Sequence, residues 1–205
     1  MDIKTYMTGP LQVNTYLVTD DTTGECFVVD PGGHSDRLIE DIEKNGHGLK
    51  YVVLTHGHGD HIGGVNELLE KYSAKLLAGD KERVILESSM YNESFAFFRK
   101  AIELKADVYL KENDTFAIGE TEFKVLETPG HTPGGLSFYH PGVVFTGDTL
   151  FKLSVGRTDF FGGSWEEMLS SIENKLYKLP DDTLVLPGHM ESSTIGFEKK
   201  YNQFL

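Results

Sequence analysis

Apolar positions along the chain fall in short runs separated by Gly, Pro and Asp, and the period of each run predicts its element. Residues 3–7 and 12–19 read as two strands joined at Gly9-Pro10, and residues 26–29 as a third beyond the turn at residues 20–24. Together they predict an antiparallel meander. It ends at Asp30-Pro31-Gly32-Gly33, where Pro and Gly force the chain out of the sheet. Ser35 then reads as the N-cap of a helix with Leu38, Ile39 and Ile42 on one face, stopped by Gly46. A short buried strand at residues 51–54 precedes a helix over residues 62–72, and residues 75–78 give another short strand.

From residue 81 to 105 the pattern is helical but uneven, with Met90, Tyr91, Phe95, Phe97, Phe98 and Ile102 giving it a heavy aromatic load. These rings are read as core, with a lid, a pocket wall or a dimer contact as the functional alternatives. Residues 115–118 and 122–128 alternate as a hairpin about Gly119-Glu120, and residues 136–139 and 143–146 form a second through His140-Pro141-Gly142. A helix over residues 165–177 opens at Ser164, residues 183–186 are a last strand and residues 195–201 a last helix. Strand blocks and helices thus alternate in two halves. Two mixed sheets packed face to face with helices outside satisfy that pattern. No stretch has the composition of a linker, so residues 1–205 are expected to form one domain.

Composition narrows the function classes. The formal charge of -13 makes nucleic acid a poor partner, because an acidic surface repels phosphate backbones. Cys26 is the only cysteine and lies in a strand-like run, so it is read as a small buried hydrophobe. The N-terminus lacks a basic region followed by an apolar core, and no apolar run approaches the roughly 20 residues a membrane span needs. The expectation is a soluble cytoplasmic protein without a membrane partner.

The chemistry concentrates in Thr55-His56-Gly57-His58-Gly59-Asp60-His61, on a predicted strand-to-helix turn. Imidazole nitrogens and carboxylate oxygens are donors for zinc and other first-row divalent metals. Gly57 and Gly59 are expected to let the chain bend tightly enough to aim neighbouring imidazoles inward. Four donors this close cannot all reach one ion comfortably, so two adjacent ions are expected, each drawing further ligands from elsewhere. Three later turns each follow an apolar or strand-like run and carry one metal-competent side chain flanked by Gly or Pro: His131 in residues 128–134, Asp148 in residues 145–149 and His189 in residues 186–189. Of the eight histidines, five sit in these turns; His34, His47 and His140 are assigned no role.

The order HxHxDH, lone His, lone Asp, lone His resembles the metallo-β-lactamase superfamily over essentially the whole chain. That resemblance implies an α/β fold arranged as a four-layer αββα sandwich, with the metal site at one edge. It implies one metal held by His56, His58 and His131, a second held by Asp60, His61 and His189, and Asp148 bridging them. Asp30 is then expected to orient a ligand rather than bind metal. Zinc is the first expectation, with iron or manganese also suited to these donors.

Within the superfamily, Gly147-Asp148-Thr149-Leu150-Phe151 followed by Gly156-Arg157-Thr158-Asp159-Phe160 resembles the glyoxalase II-like hydrolases, especially the short bacterial type. This implies a small-molecule thioester substrate of the S-lactoylglutathione type, attacked by hydroxide held between the two metals, with Asp60 and Asp148 as the catalytic carboxylates. Arg157 matches a basic residue that grips the glutathione carboxylate; the competing reading is a salt bridge with Asp159. Two departures leave another acyl thioester, a small ester or a lactone as alternatives. The C-terminal helical domain of full-length glyoxalase II is not expected in this chain, and Asp159 stands where that family has a tyrosine.

The main rival is an iron-dependent persulfide dioxygenase, which shares these turns and would use His56, His131 and Asp148. A non-catalytic metal-binding module is the lesser rival. A flavodiiron-type reductase is disfavoured by His58, a β-lactamase by Asp60 and the missing signal peptide, and a serine hydrolase by the absence of G-x-S-x-G. A homodimer is compatible with the sequence.

Overall fold

The computed structural model describes residues 1–44 and 48–205, so Gly46 and His47 lie outside the described residues. Six strands form the first sheet in chain order: β1 (Asp2–Thr8), β2 (Val13–Thr19), β3 (Cys26–Val29), β4 (Leu49–Val53), β5 (Lys75–Gly79) and β6 (Val108–Leu110). The first three are antiparallel, and β3 to β6 run parallel. The second sheet contains β7 (Thr115–Ile118), β8 (Thr121–Glu127), β9 (Leu136–His140) and β10 (Val143–Gly147). A small hairpin, β11 (Leu150–Phe151) with β12 (Ser154–Val155), follows it in the chain. The second sheet is completed by β13 (Leu184–Pro187), parallel to β10, and β14 (Ser193–Thr194).

The period-two alternation of the strands decides the layers. Phe27, Val29, Val53 and Leu77 face Phe123, Phe138, Phe145 and Leu186 across the gap between the sheets. Their sequence neighbours Cys26, Val28, Val52 and Leu76 point the other way, onto helices α1 (Asp36–Lys44) and α3 (Val65–Lys71). On the far side, Val144 and Val185 pack with Met168 and Ile172 of α6 (Trp165–Asn174) and Ile195 of α7 (Ile195–Tyr201). The result is the αββα sandwich. Two helix starts follow the sequence: Ser164 accepts the Glu167 N–H, and Ser35 accepts the Leu38 N–H at 3.3 Å.

The aromatic-rich stretch departs from expectation. In place of a helix over residues 81–105 there is a short 3₁₀ turn, then α4 (Arg83–Leu86) and α5 (Ser94–Phe98). Glu93 and Arg99, on either side of α5, both sit in the left-handed region at φ 59 and 54. Side chains take over the backbone's partners here: Asn92 donates to the Ile102 carbonyl at 2.7 Å, and Ser94 accepts the Ile102 N–H at 2.9 Å. The rings divide their work. Ile102 and Phe98 pack into the outer core, Phe97 lines the cavity described below, and Tyr91 stacks on Phe161 at 3.8 Å.

Cys26 is fully buried, and burial pushes its thiol up to about 11, so it stays a protonated core hydrophobe. No helix among the described residues is long and apolar enough to cross a membrane.

Candidate metal centre

Asp30 follows β3, the histidine turn follows β4, His131 lies beyond β8, Asp148 follows β10, and His189 lies just beyond β13. β3 and β4 are parallel, as are β10 and β13, and β8 runs with β10 because β9 is antiparallel to both. The strand ends therefore open on one edge of the sandwich, and strand polarity alone delivers the candidate ligands to one place. Hydrogen bonds lace the two sheets together at that edge. The Leu136 N–H donates to Thr55 O at 2.8 Å, the Asn14 N–H to Gly188 O at 2.8 Å, and the Tyr16 hydroxyl to Pro187 O at 2.6 Å.

Asp60 and His61 belong to α2 (Gly59–Ile62), a single turn that starts before the predicted helix and is separated from α3 by Gly63-Gly64. The role expected of Gly57 and Gly59 also changes. Neither adopts a left-handed conformation; both allow close approach. A Cβ on Gly59 would lie 2.7 Å from the Ser94 nitrogen and 2.9 Å from the Asn92 carbonyl oxygen, and one on Gly57 would press on Ile85 and Leu86.

Donor atoms gather in two groups. One atom each from His56, His58 and His131 lies within 4.8 Å of the others, and the same holds for Asp60, His61 and His189. Asp148 faces both: Oδ1 is 3.4 Å from His61 Nε2, while Oδ2 is 3.6 Å from His131 Nε2 and 3.7 Å from His189 Nε2. Asp60 Oδ2 approaches His189 Nε2 at 3.3 Å. Each predicted ligand is thus brought to the same edge.

The outer hydrogen bonds fix which nitrogen points inward. The His131 Nδ1–H donates to the Arg157 carbonyl at 2.6 Å, leaving Nε2 to face His58 Nδ1 at 2.9 Å. His61 Nδ1 donates to Asp30 Oδ2 at 3.0 Å. Thr55 Oγ1 donates to Asp30 Oδ2 at 2.6 Å and lies 3.1 Å from His56 Nδ1. Asp30 also accepts the Thr55 N–H at 2.8 Å. Its oxygens lie near His56 and His61 as a third donor group, but these bonds already engage them and hold the His61 ring. Asp30 holds this place in left-handed backbone at φ 47, a conformation Asp tolerates better than most residues.

The donor chemistry fits a divalent cation. His56 Nε2, His61 Nε2 and Asp148 Oδ1 are buried without a hydrogen-bond partner, a costly state for polar atoms unless a cation satisfies them. Burial lowers His56 well below the ordinary imidazole range and takes His58 down to about 3, so both rings are neutral and able to donate a lone pair. For Asp148 burial acts upward, but the facing His61 and His131 outweigh it and hold the carboxyl well below its usual range. The same balance, with His61 and His189 as opposing groups, lowers Asp60.

The centre forms the floor of a cavity of about 390 Å³. Leu11, Phe97, Phe151, Phe160 and Met190 supply apolar wall, with Arg157 and Glu93 at its side. Arg157 therefore reaches the site, but its guanidinium is held by Asp159 through two bonds, Nε to Oδ1 at 2.9 Å and a terminal nitrogen to Oδ2 at 2.7 Å. His34 and His140 lie outside the centre: His34 bonds Glu67 and Asp36, and His140 the Glu122 carbonyl.

One residue escapes the sequence reading altogether. Glu82 is fully buried and spans the two loops of the first donor group, accepting the Gly57 N–H at 2.8 Å and the Thr132 hydroxyl at 2.9 Å. Burial pushes its carboxyl up to about 7. A lone Glu in a charged run carries no sequence sign of burial.

Comparisons with known proteins agree with this fold. The hydroxyacylglutathione hydrolase GloC of Haemophilus influenzae is 35% identical over 209 residues, covering 100% of this chain and 98% of the relative. Among solved structures, the BLEG-1 B3 metallo-β-lactamase superposes with a TM-score of 0.92 at 38% identity, covering 100% of this chain and 99% of that one. A di-iron-bound form of TTHA1623 gives a TM-score of 0.86 at 32% identity, covering 98% of this chain and 100% of that one. The description "Metallo-beta-lactamase superfamily" matches residues 8–189, and with the fold and the ordered donor set it establishes that this chain belongs to the metallo-β-lactamase superfamily.

Proposed function

We propose that the chain is a metal-dependent hydrolase cleaving a small thioester of the S-lactoylglutathione type. The observation that carries the reading is the convergence of seven donor side chains, in two groups sharing Asp148, five of which line the floor of one open cavity. A purely structural zinc site is closed by its four ligands, whereas this arrangement leaves room above the donors. GloC, whose name states the activity, supports the substrate class.

In this reading His56, His58 and His131 hold one divalent ion, Asp60, His61 and His189 hold another, and Asp148 serves both. Zinc is the first assignment, and the same donors suit iron or manganese; the di-iron relative supports iron. When bound, such ions supply a water that ionises near neutral pH and a positive charge that polarises a carbonyl oxygen. The protein's own groups do the rest. Asp30 and Thr55 fix the ring orientations of His61 and His56. Asp60, at the cavity floor, can accept a hydrogen bond from the attacking water. The apolar wall removes bulk water from the acyl group, which strengthens every charge interaction there. A thioester suits this site because its thiolate leaves without a strong acid.

The BLEG-1 likeness makes a β-lactam the competing substrate, despite the sequence argument against it. The test measures hydrolysis of S-D-lactoylglutathione and of a chromogenic cephalosporin by the zinc- or iron-loaded protein and by its His56→Ala and Asp148→Ala variants. Thioester turnover abolished in both variants, with the fold kept by circular dichroism, supports the proposal. Undiminished turnover in either variant, or cleavage of the cephalosporin alone, overturns it.

A further inference from the structure

Histidines aside, Arg157 is the one cationic side chain among the described residues that line the cavity, and another side chain of this protein already engages its guanidinium. Asp159 engages the guanidinium fork through two parallel bonds at 2.9 and 2.7 Å. This is the geometry in which arginine grips any carboxylate. The Phe160 ring lies beneath, with the guanidinium carbon 4.4 Å from its centroid. Phe160 also leans on two of the candidate ligands, 5.0 Å from the His58 ring and 5.6 Å from the His131 ring. The Arg157 carbonyl in turn accepts the His131 Nδ1–H. The guanidinium is therefore fixed beside the metal centre with an internal carboxylate in its fork. Glu93, which lines the cavity, adds a second negative charge near the guanidinium, and apart from Ser154 and the donor side chains the remaining wall is apolar.

From this we infer that Asp159 is a specificity residue: it competes with substrate carboxylates for Arg157 and so weakens, without abolishing, the site's preference for glutathione-type thiol halves over uncharged ones. The inference rests on the thioester reading above. A carboxylate-bearing thiol half must either displace Asp159 from the fork or lie beside two acidic side chains. An uncharged thiol half meets neither obstacle. Both partners of the pair are about two-thirds exposed, so water and salt screen it and the effect is modest.

The test compares two thioesters with the same lactoyl group, one on glutathione and one on uncharged N-acetylcysteamine. Wild type, Asp159→Asn and Asp159→Asn/Arg157→Ala are assayed in the metal-loaded form. In Asp159→Asn the kcat/KM ratio of the glutathione over the uncharged thioester rises about two- to fivefold, carried by KM with kcat unchanged. Removing Arg157 as well abolishes the gain, and raised salt shrinks it. A ratio unchanged by Asp159→Asn, or a gain that survives loss of Arg157, overturns the inference. If wild type hydrolyses neither thioester, the thioester reading itself fails. Calorimetric binding of S-hexylglutathione then decides the role of Asp159: tighter binding to Asp159→Asn than to wild type supports competition for Arg157, and equal binding refutes it.

Discussion

Replacing Glu82 by glutamine asks whether a buried carboxylate ties the two ligand loops together. The wild-type side chain is fully buried, accepts from Gly57 and Thr132, and also takes the Gly134 N–H. Burial raises the carboxyl from 4.5 to about 7, so the folded protein holds this proton more tightly than the unfolded chain does. Between those two pH values the folded state binds more protons than the unfolded one, and stability falls as pH rises. The contribution is largest below pH 4.5 and is gone above about pH 7. A displacement of this size corresponds to about 3 kcal/mol. Glutamine does not titrate, so that slope vanishes. It keeps one acceptor and can donate to the Thr132 hydroxyl, but leaves a buried N–H short of a partner at a cost of about 1–3 kcal/mol. The variant is therefore less stable than wild type near pH 5, and the gap closes towards pH 8. For a chain of this size each kcal/mol moves Tm by roughly 2–4 °C, so thermal unfolding of the metal-loaded proteins across that range resolves the effect. Glu82→Ala withdraws every acceptor at once and is expected to weaken metal binding about 10–100-fold, with glutamine between it and wild type. Parallel Tm–pH profiles for wild type and Glu82→Gln, together with unaltered metal affinity in Glu82→Ala, refute the bracing argument.

Two further substitutions probe how the ligands are aimed. Asp30→Ala leaves the Thr55 N–H, the Thr55 hydroxyl and His61 Nδ1 without their buried acceptor, and is expected to lose at least about 3 kcal/mol in denaturant unfolding. Asp30→Asn, which keeps an oxygen and tolerates the left-handed backbone, loses less; equal stability of all three proteins contradicts the assigned role. Gly188→Ala sets a methyl group against Asp148 Oδ1 and 2.6 Å from His61 Cε1, so metal analysis is expected to find the Asp60, His61 and His189 group depleted, whereas full occupancy shows that the loop yields.

The sequence makes the site legible because each ligand follows a strand and is flanked by Gly or Pro, and strand polarity then does the gathering. His131, Asp148 and His189 lie far apart in the chain, yet they meet at the edge reached by the histidine turn. The layers are equally legible, since Cys26 to Val29 alternate cleanly between the outer and inner cores. Three features are hidden from local pattern. Residues 83–98 have helix-forming apolar spacing, but Asn92 and Ser94 bond the distant Ile102 and break the helix into single turns. β6 is too short to stand out and forms only by pairing with β5. Glu82 reads as a solvated charge, and only the packing of two loops around it reveals otherwise.

The central claim is that the convergent donors hold metal for hydrolysis of a glutathione-type thioester. Its most direct measurement is release of glutathione from S-D-lactoylglutathione by the purified protein, first stripped with a chelator and then reloaded with zinc or iron to a measured stoichiometry. The account predicts turnover that is lost on stripping and returns with reloading, saturating as about two ions bind per chain. Turnover indifferent to the chelator, or a fully loaded protein that releases no glutathione, contradicts it.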